Sequence, residues 1–155
     1  MGMARVKLDV QQLAPFEWQG LFELGHEEID KQHKRLFLLG KAVIVPPTGM
    51  GGHASSAERL LQLTDYAKTH FAFEAGLMQA TAYPDAHRHA NMHSSLLADL
   101  SRYCASVHWN WGWDDIPEEL VDFLWNWLAQ HIDSSDRVMV AWINSHGQID
   151  PVAAP

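Results

Sequence analysis

Cysteine is almost missing from this chain. Cys104 is the single one in 155 residues, so no disulfide can form within the chain, and nothing argues for an oxidising compartment. Basic residues are few as well: 11 Lys and Arg stand against 19 Asp and Glu, and the net charge is -8. With those cations scattered there is no basic patch for phosphate, so neither nucleic acid nor an anionic membrane is expected as a partner. The acidic surface reads as a solubility device. Long apolar runs are missing too, since no segment approaches the about 20 apolar residues of a membrane span. The opening residues carry Arg5 and Lys7 without the apolar stretch of a signal peptide. A cytoplasmic protein is expected. There is no internal repeat and no convincing strand alternation, and 17.5 kDa is one domain's worth, with a core that needs no disulfide support.

Punctuation divides the chain. Residues 1–22 read as an irregular N-terminal arm with Pro15, Phe16 and Trp18. A first helix is predicted from about 23 to 43, stopped by Pro46 and Pro47, because proline drives its predecessor out of the helical region. Val45 to Ala54, with Gly49, Gly51 and Gly52, is a loop. A capping box, Ser55 to Glu58, opens a second helix that runs to about Thr81. Pro84 and Asp85 start a third, whose inward face is His89, His93, Leu96, Leu97, Leu100 and Cys104. Past a loop holding Trp109, Trp111 and Trp113, expected to cover one end of the molecule, Asp115 to Glu118 forms a second capping box. The fourth helix follows through Leu120, Leu124, Trp127, Leu128 and His131. A short terminal helix covers about 136 to 144, Gly147 stops it, and 146–155 is a flexible tail. Four long segments with modest loops predict an all-α fold: an antiparallel up-down-up-down four-helix bundle over 23–145 with a short C-terminal helix.

Histidine, by contrast, is abundant, with ten in the chain. Seven residues fall at spacings that can aim ligands from four helices at one buried pair of metal ions: His33, His70, Glu74, His89, His93, His131 and Asp136. At about 100° per residue, the four-residue steps from His70 to Glu74 and from His89 to His93 return to the same helix face. His33 has Ile29, Leu36 and Phe37 at −4, +3 and +4, which puts its imidazole on an apolar stripe. His131 and Asp136 are five apart, a splay of about 140° on a straight α-helix. Ser134 and Ser135 lie between them and can bond the local backbone, so the helix is expected to end or loosen past His131 and restart near Asp136. Five neutral imidazoles with two carboxylates suit iron and not zinc. Burying so many polar groups with no metal would be costly, which weighs against a set of merely structural histidines.

The segments Ile29-Asp30-Lys31-Gln32-His33-Lys34, His70-Phe71-Ala72-Phe73-Glu74, His89-Ala90-Asn91-Met92-His93 and Trp127 through Asp136 resemble those of the hemerythrins, the bacterial ones in particular, in the right order from about Phe16 to Ile143. The resemblance implies two non-haem irons bridged by Glu74 and Asp136 and by a solvent-derived oxo or hydroxo. One iron would take His89, His93 and His131; the other would take His33 and His70 and keep an open place for dioxygen. It also implies an apolar oxygen pocket walled by Phe71, Trp127, Leu128 and Ile132. The function implied is reversible dioxygen binding for storage, transport or delivery, without enzymatic turnover. The alternative is an oxygen or redox sensor domain cut from a longer signalling protein, and a di-iron oxidase or peroxidase is a third class. The downstream signalling or oxygen-consuming partner is not specified by the sequence.

The remaining histidines, His26, His53, His87, His108 and His146, are expected at the surface or in loops without a metal role. Cys104 reads as a small core residue. Glu23 to His26 has the E-x-x-H spacing of ferritin-like carboxylate sites, but it occurs once and holds Gly25 near a helix start, so it is set aside.

Overall fold

A computed structural model of the chain describes residues 18–45, 55–106 and 116–147. Among them every regular element is helical: α1 Glu27–Ile44, α2 Ser56–Ala80, α3 Ala86–Ser106, α4 Glu118–Trp125, a π-helical segment Asn126–Asp136, and α5 Arg137–His146, preceded by a 3-10 turn Gly20–Phe22. Neighbouring helices run antiparallel. His26 at the start of α1 meets Phe73 late in α2, Glu74 late in α2 meets His89 early in α3, and Thr64 early in α2 meets Cys104 late in α3. Tyr103 reaches the Glu119 carbonyl while Met92 meets Ser135, so α3 and the fourth rod are also opposed. The expected up-down-up-down bundle is the fold. No helix among the described residues is long and apolar enough to cross a membrane.

Local chemistry sets the helix ends. Ser55 accepts from the Glu58 N–H at 3.2 Å while Glu58 accepts from the Ser55 N–H at 2.7 Å, the reciprocal capping predicted for α2. Such a cap is worth about 1 kcal/mol. α1 begins four residues later than expected. Gly25 takes a φ of +86°, and the Asp30 carboxylate accepts from the N–H groups of Leu24 and Gly25, so this turn lies outside the helix and His26 becomes the N-cap. Val45 is extended ahead of Pro46, as proline demands. α4 starts at Glu118 with Pro117 as its N-cap. Asp115, Trp109, Trp111, Trp113, His53 and His108 lie outside the described residues.

Of the two outcomes expected past His131, an end or a loosening, the fourth rod takes the second, and the loosening begins earlier than expected: the chain continues from α4 through the π segment from Asn126 and returns to α-helix at Arg137. The Arg137 N–H bonds the Ile132 carbonyl, five residues back. Ser134 does bond the local backbone, its Oγ donating to the Gln130 carbonyl at 2.6 Å, whereas Ser135 turns to the Met92 sulfur.

Two apolar clusters fill the bundle. The larger holds Leu36, Phe37, Leu60, Leu63, Leu100, Leu120, Leu124 and Leu128; the smaller holds Ile29, Met78, Tyr83, Met139, Val140 and Ile143. Burying each such side chain contributes about 1.5–3 kcal/mol. On α1, α2 and the fourth rod the two clusters are separated by His33, Glu74 and Asp136, with His70 one turn before Glu74. On α3 only His89, His93 and Leu100 of the expected face are buried, while Leu96, Leu97 and Cys104 are half-buried at the cluster's edge.

Candidate metal centre

All seven predicted residues converge. Six are buried, and His131 is half-buried. Their donor atoms form two groups that share both carboxylates: His33 and His70 with Glu74 and Asp136, and His89, His93 and His131 with the same pair. The sharing is atom by atom. Glu74 Oε1 faces His70 Nε2 at 3.2 Å and His33 Nε2 at 3.7 Å, while its Oε2 faces His93 Nε2 at 3.1 Å and His89 Nε2 at 3.3 Å. Asp136 Oδ2 faces His33 Nε2 at 3.2 Å, and its Oδ1 faces His131 Nε2 at 3.0 Å and His89 Nε2 at 3.2 Å. Each carboxylate thus gives one oxygen to each set of imidazoles.

The π segment makes this possible. With i→i+5 bonding, residues five apart come over one another, so His131 and Asp136 project to the same point from one continuous rod. His70 and Glu74 achieve the same on α2, and His89 and His93 on α3, by ordinary four-residue steps.

The donor set fits a pair of metal ions. Cis ligands about 2.1 Å from a common ion lie about 3.0 Å apart in octahedral geometry, close to the spacings across this cluster. Three imidazoles and two carboxylate oxygens make five donors on one side, more than a tetrahedral zinc site takes. His33 Nε2, Glu74 Oε1 and both carboxylate oxygens of Asp136 are buried without a hydrogen-bond partner. Buried ionic groups in that condition are costly unless a counter-charge reaches them.

The electrostatics point the same way. Burial opposes charge on His33 and His89, but the carboxylates of Asp136 and Glu74 outweigh it and hold both imidazoles up at about 9. His93 is lowered, chiefly by burial. Burial would raise Glu74, yet the surrounding imidazoles, His33 foremost, hold it well below the usual carboxylate range. Burial and the neighbouring Glu74 would raise Asp136, and His131 and His33 keep it far below. Both carboxylates are therefore anions at neutral pH, closely ringed by imidazoles that can bind a proton or a metal.

The proposed pocket wall is apolar and buried at Phe71, Trp127, Leu128 and Ile132. Phe71 straddles the two halves. It stacks on His93 with ring centroids 3.8 Å apart, meets His131 edge-on at 6.3 Å and lies 5.7 Å from His70. Of the five histidines given no metal role, the three among the described residues stay apart from the cluster: His26 caps α1, His87 is exposed beside Asn91, and His146 stacks on Trp142. Glu23 pairs with Lys34 at the surface. One residue that the spacing argument passed over is Gln32, whose Oε1 lies 2.9 Å from His70 Nδ1. Its signal was the four-residue step from Glu28 within the motif around His33.

Comparison with known proteins agrees with this geometry. The model of the Hemerythrin HHE cation binding domain matches residues 24–143. A bacteriohemerythrin of Stenotrophomonas maltophilia is 30% identical over 134 residues, covering 86% of this chain and 85% of that protein. One from Pseudomonas paraeruginosa is 33% identical over 124 residues, 80% of this chain and 78% of its own length. Myohemerythrin-1 of Phascolopsis gouldii is 31% identical over 122 residues, 79% of this chain and 89% of its own. No solved structure gives a significant match. Over most of its length, then, the chain belongs to the hemerythrin family.

Proposed function

We propose that this chain binds dioxygen reversibly at a pair of non-haem irons, for storage, transport or delivery, and does no enzymatic turnover. The observation that carries the reading is the division of each carboxylate between two unequal imidazole sets. Glu74 and Asp136 would bridge; His89, His93 and His131 would serve one iron, and His33 and His70 would hold the other. With two carboxylate oxygens on each side, the His33 half has four protein donors and the other has five, so a coordination place stays open beside His33 and His70. The iron pair would be bridged by oxo or hydroxo and would supply one electron from each metal to the gas.

The chain's own contribution is to hold and shield. Ionised Glu74 and Asp136 would offset half of the charge of two ferrous ions in a buried shell, where an uncompensated ion would be expelled or would draw in water. Phe71, Trp127, Leu128 and Ile132 keep solvent and protons away from the open side, which favours release of intact dioxygen over irreversible oxidation. We place the protein in the cytoplasm, with dioxygen as its ligand and no nucleic-acid or membrane partner.

The test is an absorption spectrum of the iron-loaded protein, reduced without air, exposed to oxygen and then degassed. Charge-transfer bands that appear with oxygen and vanish on degassing support carriage. Prompt irreversible conversion to the ferric form overturns it and points to redox sensing, and sustained peroxide turnover points to an enzyme.

A further inference from the structure

Among the described residues, His70 is the one imidazole of the five whose outer nitrogen bonds to another residue. His70 Nδ1 lies 2.9 Å from Gln32 Oε1, and the other end of that amide, Gln32 Nε2, donates at 2.9 Å to Glu28 Oε1. Gln32 is buried and Glu28 is at the surface. The chain of bonds has only one polarity. An ionised carboxylate can only accept, so the NH2 of Gln32 must face Glu28 and its carbonyl oxygen must face His70. His70 Nδ1 must then carry the proton, which leaves the lone pair of a neutral imidazole on Nε2, pointing into the cluster. Glu28 stays ionised, because the Gln32 amide and the nearby Lys31 hold its carboxyl below the usual range.

We propose that Glu28 and Gln32 are positioning residues that fix the tautomer and orientation of His70, and that the Glu28 charge, passed through the amide, strengthens His70 as a donor to the two-imidazole half alone. This rests on the di-iron reading for which half His70 serves. The effect is selective because the other half has no such relay: the outer nitrogens of His89, His93 and His131 bond no described residue. A hydrogen-bond acceptor behind a metal-bound imidazole raises its basicity, and its loss typically weakens metal binding about 10–100-fold.

The test is anaerobic titration of the full chain with Fe(II), resolving the two binding steps, in the wild type and three variants. Gln32→Met keeps the side-chain length and removes the acceptor; it is expected to weaken one step about 10–100-fold and leave the other unchanged. Gln32→Glu made together with Glu28→Gln, so that the new carboxylate faces an amide and not a second anion, restores an acceptor to His70 and should recover most of that loss. Glu28→Gln alone, a change at the half-buried edge of α1, should weaken the same step by a smaller factor and raise the ferric/ferrous midpoint potential of that iron. Equal weakening of both steps, no change in either, or failure of the double variant to recover binding while Gln32→Met is impaired would overturn the relay. Should the wild type bind iron without binding oxygen reversibly, the functional reading falls while these affinities still decide the role of Gln32.

Discussion

Asp136 Oδ1 lies 3.0 Å from His131 Nε2, although five residues separate them and an α-helix would point them apart. The contact exists because Asn126–Asp136 is π-helical. Asp136→Asn keeps the shape and removes the bridging anion. We expect it to lower bound iron from two per chain to at most one, with the far-ultraviolet dichroism unchanged. Two irons retained at wild-type affinity would remove Asp136 from its bridging role.

That relationship also marks where the sequence could and could not be read. Four-residue steps carry their geometry openly, so spacing alone puts His70 with Glu74 and His89 with His93 on one helix face each, and the structure brings their donor atoms together. The five-residue step demands a local departure from the α-helix, and Ser134 and Ser135 allow either an end or a loosening. A π segment satisfies the same demand while keeping the backbone bonded, and nothing in the side chains distinguishes the two. The start of α1 departs from expectation for a similar reason: the Asp30 carboxylate folds back on Leu24 and Gly25, a local side-chain bond that apolar periodicity does not report. For Gln32 only the four-residue step from Glu28 is legible in the sequence; the bond across to His70 on α2 is not.

Leu128 is fully buried in the proposed wall of the oxygen site. Leu128→Ala admits water and is expected to shorten the autoxidation half-life of the oxygenated protein about tenfold, equivalent to about 1.4 kcal/mol on the barrier. It should also cost about 2–5 kcal/mol of stability from the cavity. A stability loss with an unchanged half-life would take Leu128 out of the wall.

The reciprocal cap of α2 sits far from the metal in function. Ser55→Ala should lower stability by about 1 kcal/mol, a fall in Tm of roughly 2–4 °C for a chain of this size, without loss of iron. Iron lost from a folded variant would show that the cap acts on the site.

Stability of the iron-free chain should depend on pH in a definite sense. His33 and His89 are raised from 6.5 to about 9, so their stabilising pairing is complete below about 6.5 and is lost as pH rises through 9. Glu74 and Asp136 are lowered, so their share is present above the ordinary carboxylate range and is lost on acidification. His93 is lowered, so its share is present above about 6.5 and is lost as pH falls below that. Thermal melts should therefore peak near pH 6.5 and decline toward 9, and iron should flatten the alkaline decline by replacing the protons. A Tm that rises from pH 6.5 to 9 without metal would contradict this.

The most direct test of the central claim is an anomalous difference map, collected at the iron edge from crystals of the iron-loaded protein. Two peaks per chain are predicted, both within reach of Glu74 and Asp136, one flanked by His33 and His70 and the other by His89, His93 and His131. A single peak, or two peaks that share no carboxylate, would contradict it.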